Sequence, residues 1–585
     1  MHRGVLAGFL AFSAILLALT ELLSIFSALR PAPLAAAWLA VLAVAAFRLR
    51  PARGRPVWPG VIDGALIAAV GAIAAIVLFI ALKSPPNSTD AMAYHMPRVI
   101  YWTQAAGVAF FPTPYLNQIM LQPMAEYIVL HTYVLTGGDR LGNLPQLLGF
   151  VFSVVGVSLV AQQFGAARRG QILAALFCAT LPNGILQASG AKNDYLMTAY
   201  LVAMVYFVKE QSRSAGWWAG LALGVALLTK ATAYLFAPPL LLALWAPRRW
   251  PIMAAAALLV NAPHYARNID LSGSPLGYDS AQADGRFRWH NDRFGWRETA
   301  SNLLRHLGDQ LGARSEQWNR GVYGTVVAMH HLIGVDPNDP ATTWPGAHYA
   351  PPRNANHETN ANNRWHLLLL ALALPLLALR WRTPLARYFV ALLGGLLIFA
   401  FYLKWQPFVA RLLLPLFVLG SPAAGVLLDL APVWLQLAVC LFLLNNTRPY
   451  LFENWIRPLN GPRSILRVAR DDLYFADMTL WNNKASYLDT VDAVARNGCR
   501  LVGIDINRLT LEYPLQVLLK QRLPGVEFVH TGVSNSSKKY ERPSQPCAVV
   551  CLDCAGDGEA REYYRSLGEP RLIGKFLLYL PGPRP

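Results

Sequence analysis

The chain has 585 residues, of which 55% are hydrophobic and only 14% are charged. Soluble domains carry about 25% charged residues, so this composition excludes a soluble protein with a large core and indicates an integral membrane protein. The formal net charge is +18, but the basic residues recur in small groups between apolar runs. That distribution is typical of a multi-pass membrane protein and argues against nucleic acid as a partner.

The N-terminus begins with Met1-His2-Arg3 and continues as an apolar run from Val5 to Phe26. This run is longer than the ~7–15 residues of a signal-peptide core, and no clear small-x-small cleavage site precedes Glu21. We therefore interpret the run as a retained first membrane helix.

Apolar segments that approach the length needed to cross ~30 Å of hydrocarbon recur along the chain. They predict a mainly α-helical, polytopic membrane bundle of about thirteen transmembrane helices. The predicted segments are 5–27, 33–47, 60–82, 144–164, 172–188, 195–208, 216–229, 232–246, 251–263, 365–379, 386–402, 412–428 and 432–445.

Lysine and arginine set the predicted orientation. Groups of them follow the second, fourth, sixth, eighth and tenth segments, so all groups fall on one side if the helices simply alternate. Because basic loops face the cytoplasm, we expect a bacterial inner-membrane protein with a cytoplasmic N-terminus. The groups are Arg48, Arg50, Arg53 and Arg55; Arg168 and Arg169; Lys209 and Arg213; Arg248 and Arg249; and Arg380, Arg382 and Arg387.

Two long polar regions fall on the opposite, periplasmic side. Residues 83–143 contain two predicted interfacial helices, 90–104 and 123–135, and the aromatic side chains of the first suit the headgroup zone. Residues 264–364 form a loop too long for a plain connector, which is typical of a functional or a disordered segment.

Helix and strand patterns alternate after about residue 481, which is typical of a small α/β domain. The predicted elements are helix 486–495, strand 500–505, helix 511–521, strands 526–530 and 548–552, helix 559–567 and strand 572–580. We therefore divide the chain into two extra N-terminal transmembrane helices (1–56), a transmembrane module (57–445) and a periplasmic α/β domain (446–585).

Cys178 and Cys440 lie in apolar runs and are predicted to be inert thiols. The other four cysteines lie in the tail, where an oxidising compartment favours a disulfide, although the sequence leaves the pairing open. A Cys-x-x-Cys pair alone, without a second pair or a thioredoxin-like context, does not predict a metal site. The four are Cys499, Cys547, Cys551 and Cys554.

Asp90 is the leading catalytic candidate. It is followed by Tyr94, His95 and Arg98 at the predicted membrane surface, and such polar clusters are typical of functional sites. A carboxylate accepts the proton of an acceptor hydroxyl when it lies within hydrogen-bond reach. The alternative is that Asp90 or a neighbour merely caps the interfacial helix. Capping does not explain Tyr94, His95 and Arg98, which are candidates for substrate contact.

Asp194 is a second acid at the same predicted level. It either orients an acceptor or, together with Asp90, helps to bind a divalent cation through oxygen ligands. The alternative is a helix cap with Lys192 as its solvent-exposed partner. No motif for another cofactor is present.

Basic residues on the periplasmic side break the positive-inside pattern, so each needs an anionic partner or an aqueous cavity. Ammonium and guanidinium groups bind phosphate, and arginine does so through two parallel hydrogen bonds. The alternative is that they snorkel to lipid headgroups. The phosphate-binding candidates are Lys230, Lys404, Arg411 and Arg267, and Glu358 is a further candidate for substrate contact.

Together these motifs resemble the polytopic glycosyltransferases of the C superfamily, which include protein O-mannosyltransferases and aminoarabinose transferases. The resemblance covers about residues 60–430, with two departures. Asp90 has no adjacent acid, whereas members often carry paired acids in this loop. The two N-terminal helices and the C-terminal α/β domain lie outside the shared core, which leaves the acceptor open. The resembling stretches are Asp90 through Tyr94-His95-Met96-Pro97-Arg98, Gln122-Pro123-Met124-Ala125-Glu126, Leu227-Leu228-Thr229-Lys230, Arg267-Asn268 with Gly273-Ser274-Pro275, and Lys404-Trp405-Gln406-Pro407 through Arg411.

The resemblance implies a polyprenyl-phosphate-linked sugar as donor, membrane lipids as surroundings, and a lipid, glycan or protein as acceptor. It implies inversion at the sugar, with Asp90 as the base. Two other function classes stay open: a transporter or flippase of a lipid-linked or anionic substrate, and a non-catalytic glycan-binding membrane protein. Transporters usually have duplicated halves and broken helices, and the sequence shows no sign of either.

Overall fold

The protein is described here by a computed structural model, which covers residues 2–48, 58–477, 480–506, 511–554 and 562–581. Every predicted apolar segment coincides with a helix or, at 172–188, with a pair of helices. Arg50, Arg53 and Arg55 of the first basic group lie outside the described residues. The predicted division into domains stays a prediction, although the last apolar helix continues past residue 445.

The helices of the first half are α1 (His2–Ile25), α2 (Pro31–Arg48), α3 (Val61–Lys83), α4 (Met96–Ala105), α5 (Asn117–Met120), α6 (Met124–Thr136), α7 (Leu144–Gln163), α8 (Arg168–Ala179), α9 (Pro182–Ala188), α10 (Asp194–Lys209), α11 (Ala215–Leu227) and α12 (Ala233–Leu244). The remaining helices are α13 (Trp250–Ser272), α14 (Trp296–Gln310), α15 (Glu316–Ile333), α16 (Arg364–Leu379), α17 (Pro384–Tyr402), α18 (Leu414–Asp429), α19 (Val433–Phe452), α20 (Arg470–Leu473), α21 (Leu480–Asn497) and α22 (Tyr513–Arg522).

Length and hydropathy identify a smaller set of clear membrane spans among the described residues. Five helices are long and apolar enough to cross a bilayer, and four shorter helices are also apolar. The five are Arg3–Ile25, Val61–Lys83, Leu144–Gln163, Pro384–Tyr402 and Val409–Asp429. A multi-pass membrane protein is therefore confirmed, whereas the count of thirteen spans stays a prediction.

Helices α8 and α9 together make a sixth candidate span, but they are bent by 69° relative to each other. Pro182 opens α9, and proline disfavours helical geometry in the residue before it, so the break falls there. The expectation of unbroken helices was therefore wrong at this position. The broken pair leads directly into the segment that precedes Asp194.

Small residues allow the central helices to approach closely. A Cβ at Gly220 in α11 would lie 2.7 Å from the Met253 Cα in α13, and one at Gly224 would lie 3.0 Å from the Ala257 Cα. Membrane helices associate through van der Waals packing of this kind because lipid gives little hydrophobic driving force between them. Helix α10, which packs between α7 and α11, is buried along nearly its whole length.

Both predicted interfacial helices in the first outer loop are present, as a π-helical turn at Ala91–His95 that continues into α4, and as α6. The expectation that the aromatic residues of the first helix contact lipid headgroups was wrong. Tyr101 and Trp102 are 7% and 2% exposed. Tyr101 lies against His530 of the C-terminal domain, with ring centroids 4.6 Å apart. This loop is therefore covered by protein.

The C-terminal domain is a small α/β unit, as predicted. Its five strands lie in the order β2-β1-β3-β5-β4, with β1 parallel to β2 and β3, and β5 antiparallel to β3 and β4. The single predicted strand 572–580 is instead a hairpin, because Gly574 adopts φ 59° and turns the chain. The strands are β1 (Leu501–Asp505), β2 (Glu527–His530), β3 (Ala548–Cys551), β4 (Arg571–Ile573) and β5 (Phe576–Tyr579).

Disulfides form among the four cysteines of this domain, as predicted. Cys499 pairs with Cys547, and Cys551 pairs with Cys554. The first bond links the segment before β1 to the segment before β3, so it fixes two neighbouring parallel strands. Cys178 and Cys440 are buried free thiols.

The contact between α11 and α13 yields a stability prediction. Gly220→Ala should destabilise the protein by about 1–3 kcal/mol, because the added methyl group overpacks a helix interface that has no room for it. Gly71→Ala in α3 is the matched control, since no atom lies within 4 Å of a Cβ at that position. Thermal unfolding of both variants in detergent checks this, and equal midpoints would contradict the close packing.

Candidate active site

Four charged side chains meet at one end of the helical bundle. Asp90 follows α3, Asp194 opens α10, Lys230 lies between α11 and α12, and Arg411 lies in the 3₁₀ turn Val409–Leu413 before α18. These positions are the ends that alternation of the helices places opposite the basic loops. The structure therefore brings together the two predicted acids and two of the predicted phosphate-binding residues.

The Asp90 carboxylate pairs with Arg411, whose Nη1 lies 2.5 Å from Asp90 Oδ2. The Tyr94 hydroxyl donates to the same oxygen at 3.3 Å. The side chain of Asp90 makes no capping hydrogen bond to the helix that it opens, so the capping alternative does not describe it. It keeps 20% of its surface exposed, which leaves it accessible to a ligand.

Burial alone would raise the pKa of the Asp90 carboxyl, but the charges of Arg411, Lys192 and His95 outweigh this effect and hold the pKa well below its usual range. Asp90 is therefore ionised in the free protein. A carboxylate held this way is weakly basic, so its strength as a base depends on whether Arg411 stays paired with it.

The second acid–cation pair lies beside the first. Lys230 Nζ is 2.8 Å from Asp194 Oδ1, and it donates to Asn193 Oδ1 at 3.1 Å. Asp194 Oδ2 is buried and has no hydrogen-bond partner among the described residues, and the same holds for Arg411 Nε. An acceptor oxygen and a donor nitrogen are thus available within one small cluster.

A second layer of charge surrounds Glu358. Its carboxylate pairs with Lys192 and with Arg457, and Arg457 Nη1 donates to Asn87 Oδ1 at 3.0 Å. Burial opposes ionisation, but Lys192 and Arg457 prevail and lower the pKa of Glu358 to about 2. Lys192 is therefore not the solvent-exposed partner of Asp194, because it is 3% exposed and bound to Glu358.

The backbone next to Asp90 is held from the C-terminal part of the chain. Asp477 accepts hydrogen bonds from the Thr89 backbone N–H at 2.8 Å and from the Thr89 hydroxyl at 2.7 Å. His357 Nε2 lies 3.0 Å from the other Asp477 oxygen. Two segments distant in sequence therefore fix the residue that precedes Asp90.

His95 and Arg98 both bind Glu126 of α6. His95 Nδ1 lies 2.9 Å from Glu126 Oε1, and Arg98 Nη1 lies 3.0 Å from the same oxygen. Arg98 is fully buried and also donates to the carbonyls of Asn117 and Leu121 at 3.0 and 2.9 Å. Its contacts are those of a residue that ties the loop together, whereas His95 lies against the ring of Tyr94 beside the site.

Two predicted phosphate-binding residues have partners elsewhere. Lys404 Nζ lies 2.7 Å from Asp292 Oδ2. Arg267 forms a bidentate pair with Glu21 of α1 at 2.7 and 2.9 Å and also donates to the Tyr127 hydroxyl at 2.9 Å. Neither pair includes a residue of the Asp90 cluster, so the structure does not bring Lys404 and Arg267 into it through these contacts.

Sequence reasoning missed Arg457 and Asp477, and it misread Lys192. Arg457 and Asp477 follow the last apolar helix in a stretch with no recognisable motif, so no local pattern marks them. Lys192 offered one signal: it lies two residues before Asp194, but the sequence also offers Lys230 as a cation for that acid.

A comparison with known proteins agrees with the class of protein that the motifs suggested. Residues 122–265 match the family model of the dolichyl-phosphate-mannose-protein mannosyltransferases. That segment contains Asp194 and Lys230 of the cluster, and the resemblance to polytopic glycosyltransferases is confirmed over it. No curated protein sequence matches the chain significantly.

Two solved structures are similar to this chain at low identity. They are crystal structures of ArnT from Cupriavidus metallidurans, one bound to undecaprenyl phosphate and one in the apo state. Both give a TM-score of 0.49 and cover 89% of this chain and 100% of the other, with 13% and 16% sequence identity respectively.

The charges around Glu358 yield a pH prediction. The folded-state pKa of about 2 lies below the ordinary value of about 4.3, so the carboxylate stabilises the fold above pH ~4.3, and this contribution is lost as pH falls towards 2. Glu358→Gln should cost about 3–5 kcal/mol at neutral pH, because it leaves two buried cations without their anion. The difference from wild type should shrink as the pH is lowered from 6 to about 3.

Thermal midpoints in detergent across this pH range measure the effect. Glu453→Gln is the control, since Glu453 is an exposed carboxylate on the neighbouring stretch of chain. A wild-type-minus-variant difference that does not change with pH would show that the Glu358 carboxylate is not stabilised by its two cations.

Proposed function

We propose that the protein is an inner-membrane glycosyltransferase that moves a sugar from a polyprenyl-phosphate donor to an acceptor hydroxyl. The observation that carries the proposal is the pairing of Asp90 with Arg411 beside the pair of Asp194 with Lys230. A base and phosphate-binding cations within one accessible cluster are what transfer from a phosphate leaving group requires. The family match over residues 122–265 supports the same class.

Arg411 and Lys230 hold the donor phosphate in this proposal. The side chain of Arg411 is 9% exposed and that of Lys230 is 16% exposed, so both reach the surface of the cluster. Arg411 Nε also has no hydrogen-bond partner among the described residues, and a phosphate oxygen fits that N–H. Both cations then stabilise the negative charge that grows on the phosphate as it leaves.

Asp90 acts as the base. The acceptor oxygen attacks the anomeric carbon as the bond from that carbon to the phosphate oxygen breaks, and the acceptor proton passes to Asp90. Attack opposite to the leaving group inverts the configuration. A polyprenyl phosphate leaves without protonation, so one carboxylate suffices, in contrast to the two carboxylates of glycosidases.

Donor binding also activates the base. In the free protein Arg411 holds the pKa of Asp90 low. A phosphate that shares the guanidinium weakens this hold, so the pKa of Asp90 rises towards its ordinary range when the donor binds. The proton acceptor therefore becomes effective only after the donor is in place.

The proposed topology has thirteen spans, a cytoplasmic N-terminus, and the site and C-terminal domain in the periplasm. Basic loops at the opposite helix ends support this orientation. The disulfides Cys499–Cys547 and Cys551–Cys554 support it as well, because disulfides persist in oxidising compartments.

The proposed reaction needs no step at a divalent cation. Asp90 and Asp194 are each neutralised by a cationic side chain, which leaves no excess negative charge to attract a metal. Among the described residues, the three-ligand group that comes close enough together is Asp505 with Cys551 and Cys554, and both of those sulfurs are disulfide-bonded.

A transporter of an anionic, lipid-linked substrate is the second candidate. The 69° break between α8 and α9 favours it, because broken helices line substrate sites in transporters. Purified protein incubated with a panel of polyprenyl-phosphate sugars and acceptor fractions of lipid or protein discriminates the two functions. Sugar-dependent release of polyprenyl phosphate supports transfer, and binding without release at any acceptor supports transport.

Replacement of the base gives the sharpest catalytic prediction. Asp90→Asn should lower turnover by at least ~100-fold, since a positioned base contributes 10²–10⁴-fold, while the variant is still inserted in the membrane. Asp270→Asn is the matched control, because it neutralises an exposed acid paired with Lys539 outside the cluster. Wild-type turnover in Asp90→Asn would remove Asp90 from the mechanism.

The activation of Asp90 by the donor predicts two different acid limbs. The pH profile of kcat/KM reports the free protein and that of kcat the donor complex. The bound phosphate raises the pKa of Asp90, so Asp90 takes up its proton at a higher pH in the donor complex than in the free protein. As the pH is lowered, kcat should therefore begin to fall at a higher pH than kcat/KM. Initial rates measured from the lowest pH at which the protein stays folded up to pH 7 check this, and coincident limbs would show that Arg411 does not exchange partners.

The contacts of Asp477 predict a positioning role. Asp477→Ala frees Thr89 and should lower kcat by about tenfold or more while the donor KM changes little, because small misplacements of a reacting group are costly. Asp471→Ala, at an exposed acid of the same segment, should leave kcat unchanged. Equal losses in both variants, or a change confined to KM, would contradict the role of Asp477.

A further inference from the structure

Helix α15 in the long outer loop exposes large apolar side chains along with polar ones, and two of its three buried residues are polar. It buries Asn319 and His330 and exposes Trp318, Met329 and Leu332, which are 51%, 40% and 79% accessible. The buried polar side chains are satisfied: His330 Nε2 lies 2.9 Å from the Ser301 hydroxyl, and Asn319 exchanges hydrogen bonds of 2.8 and 2.9 Å with the backbone of residue 313. A fully solvated helix presents the opposite pattern.

An apolar groove runs between α14 and α15. Its volume is about 720 Å³, which lies within the ~300–1,000 Å³ of typical ligand pockets. The side chains that line it are mostly apolar and none is charged, although Ser315, Gln317 and Thr325 also line it, so it suits a hydrocarbon chain better than a phosphate. The apolar ones include Leu304, Leu307 and Leu311 of α14 and Trp318, Val322 and Val326 of α15.

The hairpin of α14 and α15 is attached to the end of a membrane span. Asn302 Nδ2 donates to the carbonyls of Ala400 and Leu403 at 2.9 and 3.0 Å, and the His306 ring lies 5.3 Å from that of Phe399. These contacts involve the last turn of α17, one of the five clear spans. The hairpin is therefore anchored at the level where this span leaves the hydrocarbon.

The exposed tryptophan and arginine side chains of the hairpin also indicate a position at the membrane surface. Trp296 and Trp318 are 68% and 51% exposed, and tryptophan concentrates at the boundary between hydrocarbon and headgroups. Arg297, Arg314 and Arg320 are exposed beside them, and arginine near the membrane surface attracts anionic headgroups.

We propose that the apolar face of the α14–α15 hairpin lies in the outer leaflet of the membrane, and that the acyl chain of a bilayer phospholipid fills the groove. The exposed apolar side chains of α15, the apolar groove and the attachment to α17 all point to lipid as the occupant. Since α14 also contacts the turn that carries Arg411, the depth of the hairpin sets the height of the charged cluster above the bilayer.

Spin labelling tests the placement of the hairpin. In the full chain, Cys178 and Cys440 are buried and the other cysteines are disulfide-bonded, so a label attached at Leu332→Cys reports that position alone. In nanodiscs of phosphatidylcholine and phosphatidylglycerol, we expect collisions with oxygen to exceed those with a water-soluble nickel chelate. Gln521→Cys, on the exposed surface of α22, should show the reverse, with a ratio several-fold lower.

The other two accessibility outcomes overturn the proposal. A label at Leu332 that collides mainly with the nickel chelate lies in water. A label that neither reagent reaches is covered by a second copy or a protein partner. Each result assigns the apolar face to a surrounding other than lipid, and neither depends on whether the protein transfers sugars.

Photo-crosslinking tests the occupant of the groove. A phosphatidylcholine with a diazirine on its acyl chain should crosslink to peptides of α14 and α15 in reconstituted protein. Val322→Trp, which fills the groove, should reduce this yield several-fold, while crosslinks to α3 stay unchanged. Absence of crosslinks in the hairpin, or their displacement by added polyprenyl phosphate, would overturn the assignment to a bilayer phospholipid.

Discussion

The ion pair between Asp90 and Arg411 joins the loop after α3 to the start of α18, across a sequence separation of 321 residues. Partial burial of a carboxylate and a guanidinium costs several kcal/mol per ion, and their attraction offsets this cost only with good geometry and satisfied neighbours. Here Arg411 Nε and Asp194 Oδ2 lack partners among the described residues. The arrangement is therefore poorly suited to stability alone and well suited to a ligand that supplies the missing contacts.

The number of charges in and around the cluster also indicates that it binds an anionic ligand. Asp90 and Asp194 are each matched by one cation, whereas Glu358 is matched by both Lys192 and Arg457. The three carboxylates of Asp90, Asp194 and Glu358 thus lie against four cationic side chains. A sugar phosphodiester carries a single negative charge, so its entry would complete the balance rather than disturb it.

The predictable part of the structure was the part governed by local pattern. Hydropathy located the apolar helices, and charge at their ends singled out Asp90, Lys230 and Arg411. Long-range pairing was not predictable: Lys404 and Arg267 have the same residue types at similar helix ends, but Asp292 and Glu21 bind them elsewhere. The position of a charged residue at a membrane surface predicts that it has an oppositely charged partner or an aqueous cavity. The identity of that partner depends on the tertiary fold and cannot be predicted from the local sequence.

The C-terminal domain is bound through buried hydrogen bonds to the outer loop that carries Asp90. Glu512 accepts a hydrogen bond from the Gln118 amide at 2.5 Å and lies 3.0 Å from His530 Nε2, which in turn contacts the Tyr101 hydroxyl at 3.2 Å. The backbone carbonyl of Gln118 binds Arg98. A separable glycan-binding module would meet the bundle through a solvated surface, because such domains keep their own polar groups satisfied. Here buried polar groups of the domain are satisfied by the first outer loop, so movement of the domain would disturb the loop that carries Asp90.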